Sequence, residues 1–300
     1  MRVTADWGLR LRMAATLAGL GVLYLGLVAA LAKATGSTVL VVAGAGLAVA
    51  AQYRYADRIA LRATGAERVD PAAYPDLHAR LVRLSRTAGV PAPDLAVVDS
   101  PDRNAFAAGR SRESAVVCVT TGLLDALDGE ELDAVLAHEL AHVAHRDATV
   151  LTLVSALSTV AYAVVRHVWW FGDGGDGGSS GGESGVPWLL VAVLVSLVVW
   201  AGSYVLIRAL SRYREYAADR GAALITGDPA ALAAALETLA AEDEDEDDRP
   251  EEDLRAGAGM NALYAVPGGS RFDVPEIMRT HPPTERRVER LRSMERDLSA

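Results

Sequence analysis

The chain has 300 residues, of which 51% are hydrophobic, and carries a formal net charge of -10 at pH 7. This length allows one or two domains, and the apolar fraction is too high for an ordinary soluble enzyme, so membrane-spanning segments are expected. The acidic balance, without a basic patch interleaved with aromatic residues, argues against nucleic acid as a partner. The single cysteine, Cys118, excludes a disulfide framework and lies in an apolar run where a buried, unreactive thiol is expected.

Apolar stretches predict four transmembrane helices, at residues 13–32, 38–51, 148–170 and 186–210. A bilayer core needs about 20 apolar residues in a helix, so the second stretch, which is short and rich in Gly and Ala, is marginal in length. A cleavable signal peptide is the alternative for the first stretch, although that stretch is long for one and another follows closely. We therefore predict two helical hairpins, within residues 1–52 and 148–210.

The arginines predict the orientation of these hairpins. They flank the N-terminal side of the first stretch, the end of the second, the start of the third and the end of the fourth. Positive charge in short loops marks the cytoplasmic side of a membrane. We predict a multi-pass protein of the cell membrane with both termini and the soluble segments 53–147 and 211–300 in the cytoplasm, and a Gly/Ser-rich loop at 172–185 outside. Arg166 and His167, at the predicted outer end of the third helix, do not fit this pattern.

The first soluble segment has an α+β pattern. Apolar residues at helical spacing predict a helix over residues 75–88. Short β-rich runs at 94–98 and 115–120 predict strands, joined through residues 101–109. A small sheet is therefore expected ahead of the next helix.

Capping residues predict where the remaining helices begin. Asp128 is a suitable N-cap followed by two glutamates, which predicts a helix from about Gly129. Pro229 after an aspartate, and Thr284, mark two later helix starts. Between those helices, the dense run of like charges within residues 242–259 predicts a solvated loop.

Residues 138–142 read His-Glu-Leu-Ala-His, the pattern H-E-x-x-H. On a helix, His138 and His142 lie on one face and can bind a single Zn²⁺, while Glu139 reaches the water that the ion binds. This pattern is a signature of zinc metalloproteases. The alternative is a pair of surface histidines on a polar helix turn.

A catalytic zinc site needs a third protein ligand, which must come from elsewhere in the chain. Glu215 and Asp219 lie four residues apart in the segment Ser-Arg-Tyr-Arg-Glu-Tyr-Ala-Ala-Asp at 211–219, so they share a helix face. If Glu215 binds the metal, Asp219 is placed to accept the other ring N–H of a ligand histidine. The alternative is that both belong to a solvated helix face.

Four segments together resemble a known family. They are His-Glu-Leu-Ala-His at 138–142, the segment at 211–219, Asn-Ala-Phe-Ala at 104–107 and Thr-His-Pro-Pro-Thr at 280–284. In their order along the chain they resemble the HtpX-type integral-membrane zinc metalloproteases, relatives of the CAAX prenyl endopeptidases. The resemblance covers residues 70–295 and the layout of the spans. It implies a mainly α membrane protein with four transmembrane helices and a cytoplasmic, zincin-like α+β catalytic domain that contains a small β-sheet.

The resemblance also implies roles for individual residues. It implies one Zn²⁺ per chain, with His138, His142 and Glu215 as ligands and Glu139 as general base. The edge-strand residues that would bind the substrate are Asn104, Ala105, Phe106 and Ala107. The residues that would stabilise the oxyanion are His281 and Arg287. Considered alone, His281 could equally be a loop histidine.

The predicted function is a membrane-embedded, zinc-dependent endopeptidase that cleaves misfolded or membrane-associated proteins on the cytoplasmic side, as in protein quality control. Its partners would be protein or peptide substrates and the lipid bilayer. A CAAX-type prenyl-protein endopeptidase would share every ligand but would need a membrane cavity for a lipidated tail. A non-catalytic membrane scaffold or binding protein would not require Glu139, Glu215 and Asp219 to occur together.

Overall fold

The computed structural model describes residues 7–171, 185–243 and 282–299. Within this part the chain is mostly helical and contains one small mixed sheet, as the sequence predicts. The predicted loops at 172–185 and 242–259 lie almost entirely outside the described residues, and His281 lies outside them as well.

Helices make up most of the described chain. In chain order they are α1 (Trp7–Thr35), α2 (Thr38–Thr64), α3 (Pro75–Ala88), α4 (Thr121–Ala126), α5 (Gly129–His145), α6 (Asp147–Phe171), α7 (Gly185–Thr226), α8 (Pro229–Asp243) and α9 (Thr284–Ser299). The strands are β1 (Glu67–Arg68), β2 (Asp94–Val98), β3 (Ala105–Ala108) and β4 (Val116–Thr120), with a 3₁₀ turn at Arg112–Ser114.

Three of the described helices are long and apolar enough to cross a membrane, over Leu11–Thr35, Asp147–Val165 and Leu190–Thr226. They coincide with the first, third and fourth predicted spans. Helix α2 is not among them, because its apolar stretch gives way to Gln52 and Arg54 before a full span is complete. The second predicted span, at residues 38–51, therefore stays a prediction.

The chain divides into two compact units, of which the first comprises Met1–Arg54 and Leu151–Leu210. Its helices pack closely where a side chain is absent, since a Cβ added to Gly202 on α7 would lie 3.1 Å from Leu23 on α1. The side-chain amide of Gln52 donates to the Ser155 hydroxyl at 2.9 Å. Small residues and hydrogen bonds between helices are the usual means of holding apolar helices together.

The second unit comprises Tyr55–Val150 and Ser211–Ala300 and contains the sheet. The strand order is β1-β2-β4-β3, with β2 parallel to β4 and the two outer strands antiparallel to their neighbours. A core built from Leu81 of α3, Leu136 of α5, Leu232 of α8 and Leu291 of α9 packs with apolar residues of the sheet. Among the described strands, β3 lies at one edge of the sheet, in a stretch where the residue pattern alone predicts a connection and the family resemblance implies a strand.

Helix α5 begins and ends as its local sequence dictates. The Asp128 carboxylate accepts hydrogen bonds from the backbone N–H groups of Glu130 and Glu131, both at 2.9 Å, which confirms the predicted start. At the other end, Arg146 closes the helix with φ 57°, and its N–H donates to the Val143 carbonyl at 3.1 Å.

Candidate metal centre

Two helices of the second unit bring the predicted residues together. Helix α5 carries the H-E-x-x-H motif, and the C-terminal part of α7 carries Glu215 and Asp219. Their close approach depends on Gly221, because a Cβ at this position would lie 2.6 Å from the Cβ of Ala141. Glycine is the residue that allows the two backbones to come this near.

The three predicted ligand side chains converge. Nε2 of His138 and Nε2 of His142 are 3.1 Å apart, and the Glu215 carboxylate oxygens lie 3.6 Å from the first and 3.3 Å from the second. One ligand atom from each residue lies within 4.8 Å of the others, so the described part of the chain contains a His-His-Glu group that could hold a metal ion.

A carboxylate and a guanidinium hold the His138 ring. Nδ1 of His138 lies 3.1 Å from Asp219 Oδ1, and Asp219 accepts hydrogen bonds from Nη2 and Nε of Arg287 at 2.6 and 3.0 Å. Burial lowers the pKa of His138, against the opposing pull of the Asp219 and Glu215 carboxylates. The imidazole is therefore neutral, which is the form that binds metals.

A second group of the same kind holds His142. Nδ1 of His142 lies 2.5 Å from one oxygen of Asp147, and the other oxygen accepts a hydrogen bond from Arg214. Sequence reasoning did not select Asp147 or Arg214. The available signal was a carboxylate five residues beyond His142 and an arginine directly before Glu215, both of which are buried.

All buried charged side chains that the structure describes belong to this site, and they are Glu139, Asp147, Arg214, Glu215, Asp219 and Arg287. They comprise four carboxylates and two guanidiniums, a formal charge of 2 − 4 = −2 over these six side chains. The donors, two imidazole nitrogens and one carboxylate, fit a transition metal with a remaining open position.

The other predicted residues that the structure describes lie on α5, beside β4 and on α9. Glu139 is fully buried on α5, beside His138. Asn104 pairs with Thr120, donating its N–H to the hydroxyl at 2.9 Å and accepting from the backbone N–H at 3.0 Å. Arg287 is engaged by Asp219 and has Nη1 3.6 Å from Glu215. Burial opposes the charge on Arg287, but these two carboxylates outweigh it and raise its pKa.

A cleft connects the metal-binding group with the edge strand. Its lining includes His142 and Asp147, the end of β3 at Ala107 and Ala108, and Arg146. A peptide added beside β3 would therefore reach the side chain of a predicted metal ligand.

Apolar spanning helices, the H-E-x-x-H helix and an acidic third residue from a second helix together define a membrane metallohydrolase site. Comparisons with known proteins agree with this class. Residues 71–295 match the family model described as Peptidase family M48. The chain belongs to this peptidase family, and it is a membrane metalloprotease of the HtpX type.

Relatives of nearly the same length carry the HtpX name. The chain is 45% identical to "Protease HtpX homolog 2" of Methanosarcina mazei, over 98% of both chains. It is 42% identical to "Protease HtpX homolog" of Moorella thermoacetica, over 98% of this chain and 97% of that one. It is also 45% identical to "Protease HtpX homolog 1" of Streptomyces coelicolor, over 97% and 94%.

A solved structure shares the fold. The crystal structure of S. mikatae Ste24p aligns with a TM-score of 0.55 at 17% sequence identity. The alignment covers 95% of this chain but 66% of Ste24p, so this chain corresponds to about two thirds of the larger protein. At this identity the likeness is one of fold.

Proposed function

We propose that the chain is a zinc-dependent endopeptidase whose metal is bound by His138, His142 and Glu215. The observation that carries this proposal is the convergence of these three side chains within 4.8 Å. The carboxylates that face both ring Nδ1 atoms support it. Asp219 and Asp147 hold each ring so that Nε2 faces the metal position.

In the proposed mechanism, Zn²⁺ when bound supplies a Lewis acid that polarises the scissile carbonyl and makes a water molecule more acidic. Glu139, adjacent to His138 on α5, takes the proton of that water and passes it to the leaving amine. Arg287 stabilises charge on the carbonyl oxygen through Nη1, the nitrogen that Asp219 does not engage. His281, which lies outside the described residues, keeps its predicted role in stabilising the same charge.

The edge strand β3 is proposed to bind the substrate main chain. Asn104 hydrogen-bonds with Thr120 across the ladder, and in antiparallel pairing the bonded positions alternate. Phe106 and Ala108 are thus the residues bonded to β4, and Ala107 directs its N–H and C=O away from the sheet. An extended peptide could add there as a further strand, next to His142 across the cleft.

The test of the chemistry is Glu139→Gln. This variant should bind zinc as the wild type does and lose cleavage of an unfolded protein substrate, by about 1,000-fold or more if Glu139 is the proton carrier. The measurement is metal content and proteolysis of wild type and variant, purified side by side in detergent. Retained proteolysis in Glu139→Gln would refute the assignment of the base.

We further propose four transmembrane helices, cytoplasmic termini and catalytic segments, and cleavage of misfolded or membrane-associated proteins on the cytoplasmic side. The support is the arginine pattern, which places residues 53–147 and 211–300 on one side and the loop 172–185 on the other. Labelling of cysteines introduced into that loop by an impermeant reagent in intact cells tests the orientation. Labelling at Arg86→Cys instead would reverse it.

A CAAX-type prenyl-protein endopeptidase is the second candidate, and the likeness of fold to Ste24p favours it. Cleavage of an unfolded substrate without a lipid separates the two, since a prenyl protease should need the lipidated tail. A non-catalytic scaffold is disfavoured because Glu139, Glu215 and Asp219 are all present and buried at one site.

A further inference from the structure

Arg146 lies in the same cleft as His142 and the end of β3. Its side chain is exposed, in contrast to the buried Arg214 and Arg287 of the metal centre. Arg146 forms no ion pair with a carboxylate of the described residues. A positive charge therefore lies beside the proposed substrate path without an ion-pair partner among the residues that the structure describes.

The carboxylates near Arg146 are engaged by other groups. Asp147, its neighbour in sequence, is held by His142 and Arg214. Glu113 has its pKa lowered mainly by its own backbone N–H and by Ser111, and Arg146 adds only a smaller Coulombic contribution. The Arg146 charge thus remains available to a molecule in the cleft.

The backbone conformation of Arg146 also supports a role for its side chain. Its φ of 57° places it in the left-handed region, and it is the only residue other than glycine with positive φ in the described part of the chain. Glycine closes a helix in this conformation without the steric conflict of a Cβ. Arginine here occupies a position whose backbone geometry favours glycine, and such a position suggests a use for the side chain beyond its positive charge at the helix end and beside the third apolar stretch.

We propose that Arg146 is a specificity-determining residue that binds a carboxylate of the peptide substrate, close to the cleaved bond. This inference rests on the proposed peptidase function. The carboxylate can be an acidic side chain or the C-terminus of the peptide, since a guanidinium binds either by the same paired hydrogen bonds.

The experiment compares peptides that differ only in charge. Fluorogenic peptides of one sequence carry Glu or, as the neutral isostere, Gln at each position flanking the cleaved bond, and the ratio of their kcat/KM values is measured with the zinc-loaded enzyme. We expect a preference for Glu of about threefold to fivefold at one position, because a partly exposed ion pair contributes modestly. The preference should fall as salt is raised.

Variants assign the preference to the side chain. Arg146→Gly and Arg146→Asn, both suited to positive φ, should bring the Glu/Gln ratio close to one, Arg146→Glu should invert it and Arg146→Lys should retain part of it. Arg86→Asn, which removes an exposed arginine from α3, is the matched control and should leave the ratio unchanged. Arg146→Gly should fold with at least wild-type thermal stability, so a change in its ratio reports on the charge.

A parallel arm distinguishes the two sources of the carboxylate. Neutral peptides are supplied as the free acid and as the C-terminal amide. A preference for the acid that Arg146→Gly abolishes assigns the site to a chain terminus, and a Glu preference at an internal position assigns it to a side chain. Equal rates for Glu and Gln and for acid and amide in the wild type, or ratios unchanged in Arg146→Gly, would overturn the inference.

A binding measurement separates this inference from the proposed function. Fluorescence anisotropy of the same peptides with Glu139→Gln, and with Glu139→Gln combined with Arg146→Gly, reads the charge preference without cleavage. A preference for the anionic peptide that depends on Arg146, together with no cleavage of any peptide by the zinc-loaded wild type, would uphold the inference and contradict the peptidase. Cleavage by the wild type without any charge preference would uphold the peptidase function and contradict the role of Arg146.

Discussion

Removal of the Asp147 carboxylate tests how the metal centre is built. One Asp147 oxygen lies 2.5 Å from Nδ1 of His142 and the other accepts from the buried Arg214. Loss of a carboxylate that orients a ligand histidine typically lowers metal affinity 10- to 100-fold, which is about 1.4 to 2.8 kcal/mol. We expect a loss in this range for Asp147→Ala. Asp147→Asn should lose less, because an amide oxygen can still accept from the ring.

The same substitution should also destabilise the fold. Asp147→Ala leaves Arg214, only 5% exposed, without its counter-charge, which we expect to cost about 3 to 5 kcal/mol. Combining Asp147→Ala with Arg214→Met removes both charges and should recover most of this stability without recovering metal affinity. The two effects are thereby separable.

Two measurements read these effects, chelator competition for zinc affinity and thermal unfolding of the metal-free protein. Asp133→Asn is the control, since Asp133 is on α5, the helix that carries His142, and pairs with Arg80 and Arg83 away from the metal centre. It should leave zinc affinity within about twofold of the wild type. Zinc affinity of Asp147→Ala equal to that of Asp133→Asn would refute the orienting role of Asp147.

The packing and the sheet support three further predictions. Gly221→Ala would place a Cβ 2.6 Å from Ala141, so we expect the free energy of unfolding to fall by about 1 to 3 kcal/mol and zinc binding to weaken about tenfold. Adding Ala141→Gly should reverse both effects, and failure of that rescue would contradict the close-approach argument. Burial raises the pKa of the Cys118 thiol to about 12, so only about one molecule in 10,000 is a thiolate at pH 8. Iodoacetamide should therefore label the chain only as denaturant unfolds it, and rapid labelling of the native protein would refute this. Ala107→Pro removes an N–H that faces away from β4, so we expect a higher KM for peptide cleavage and an unchanged far-ultraviolet circular dichroism spectrum. Phe106→Pro removes a hydrogen bond between β3 and β4 and should instead unfold the sheet.

Features encoded by neighbouring residues could be predicted from the sequence. Helix α3 occupies Pro75–Ala88 as its apolar spacing predicts, and α5 begins after the Asp128 cap. The facing imidazoles of the H-E-x-x-H motif follow from the pitch of a helix. Strand β4 begins one residue later than predicted, at Val116, and the bounds of such elements commonly shift by this much.

Features that depend on tertiary contacts could not be predicted in this way. Asp147 is five residues from His142, and it faces the ring only because the chain leaves the helix at Arg146 and α7 brings Arg214 against it. The two-residue strand β1 has no apolar alternation and exists through its pairing with β2. The side toward which the Ala107 N–H and C=O point is fixed only by the register of β3 with β4.

The placement of the three ligand residues on two helices has a consequence for the life of the chain in the cell. His138 and His142 on α5 meet Glu215 on α7 only in the folded unit, so part of the free energy of metal binding is folding free energy. A newly made chain would thus become more stable in this unit on receiving its ion. Metal supply then acts as a maturation checkpoint, and a copy that lacks the ion remains easier to unfold and to degrade.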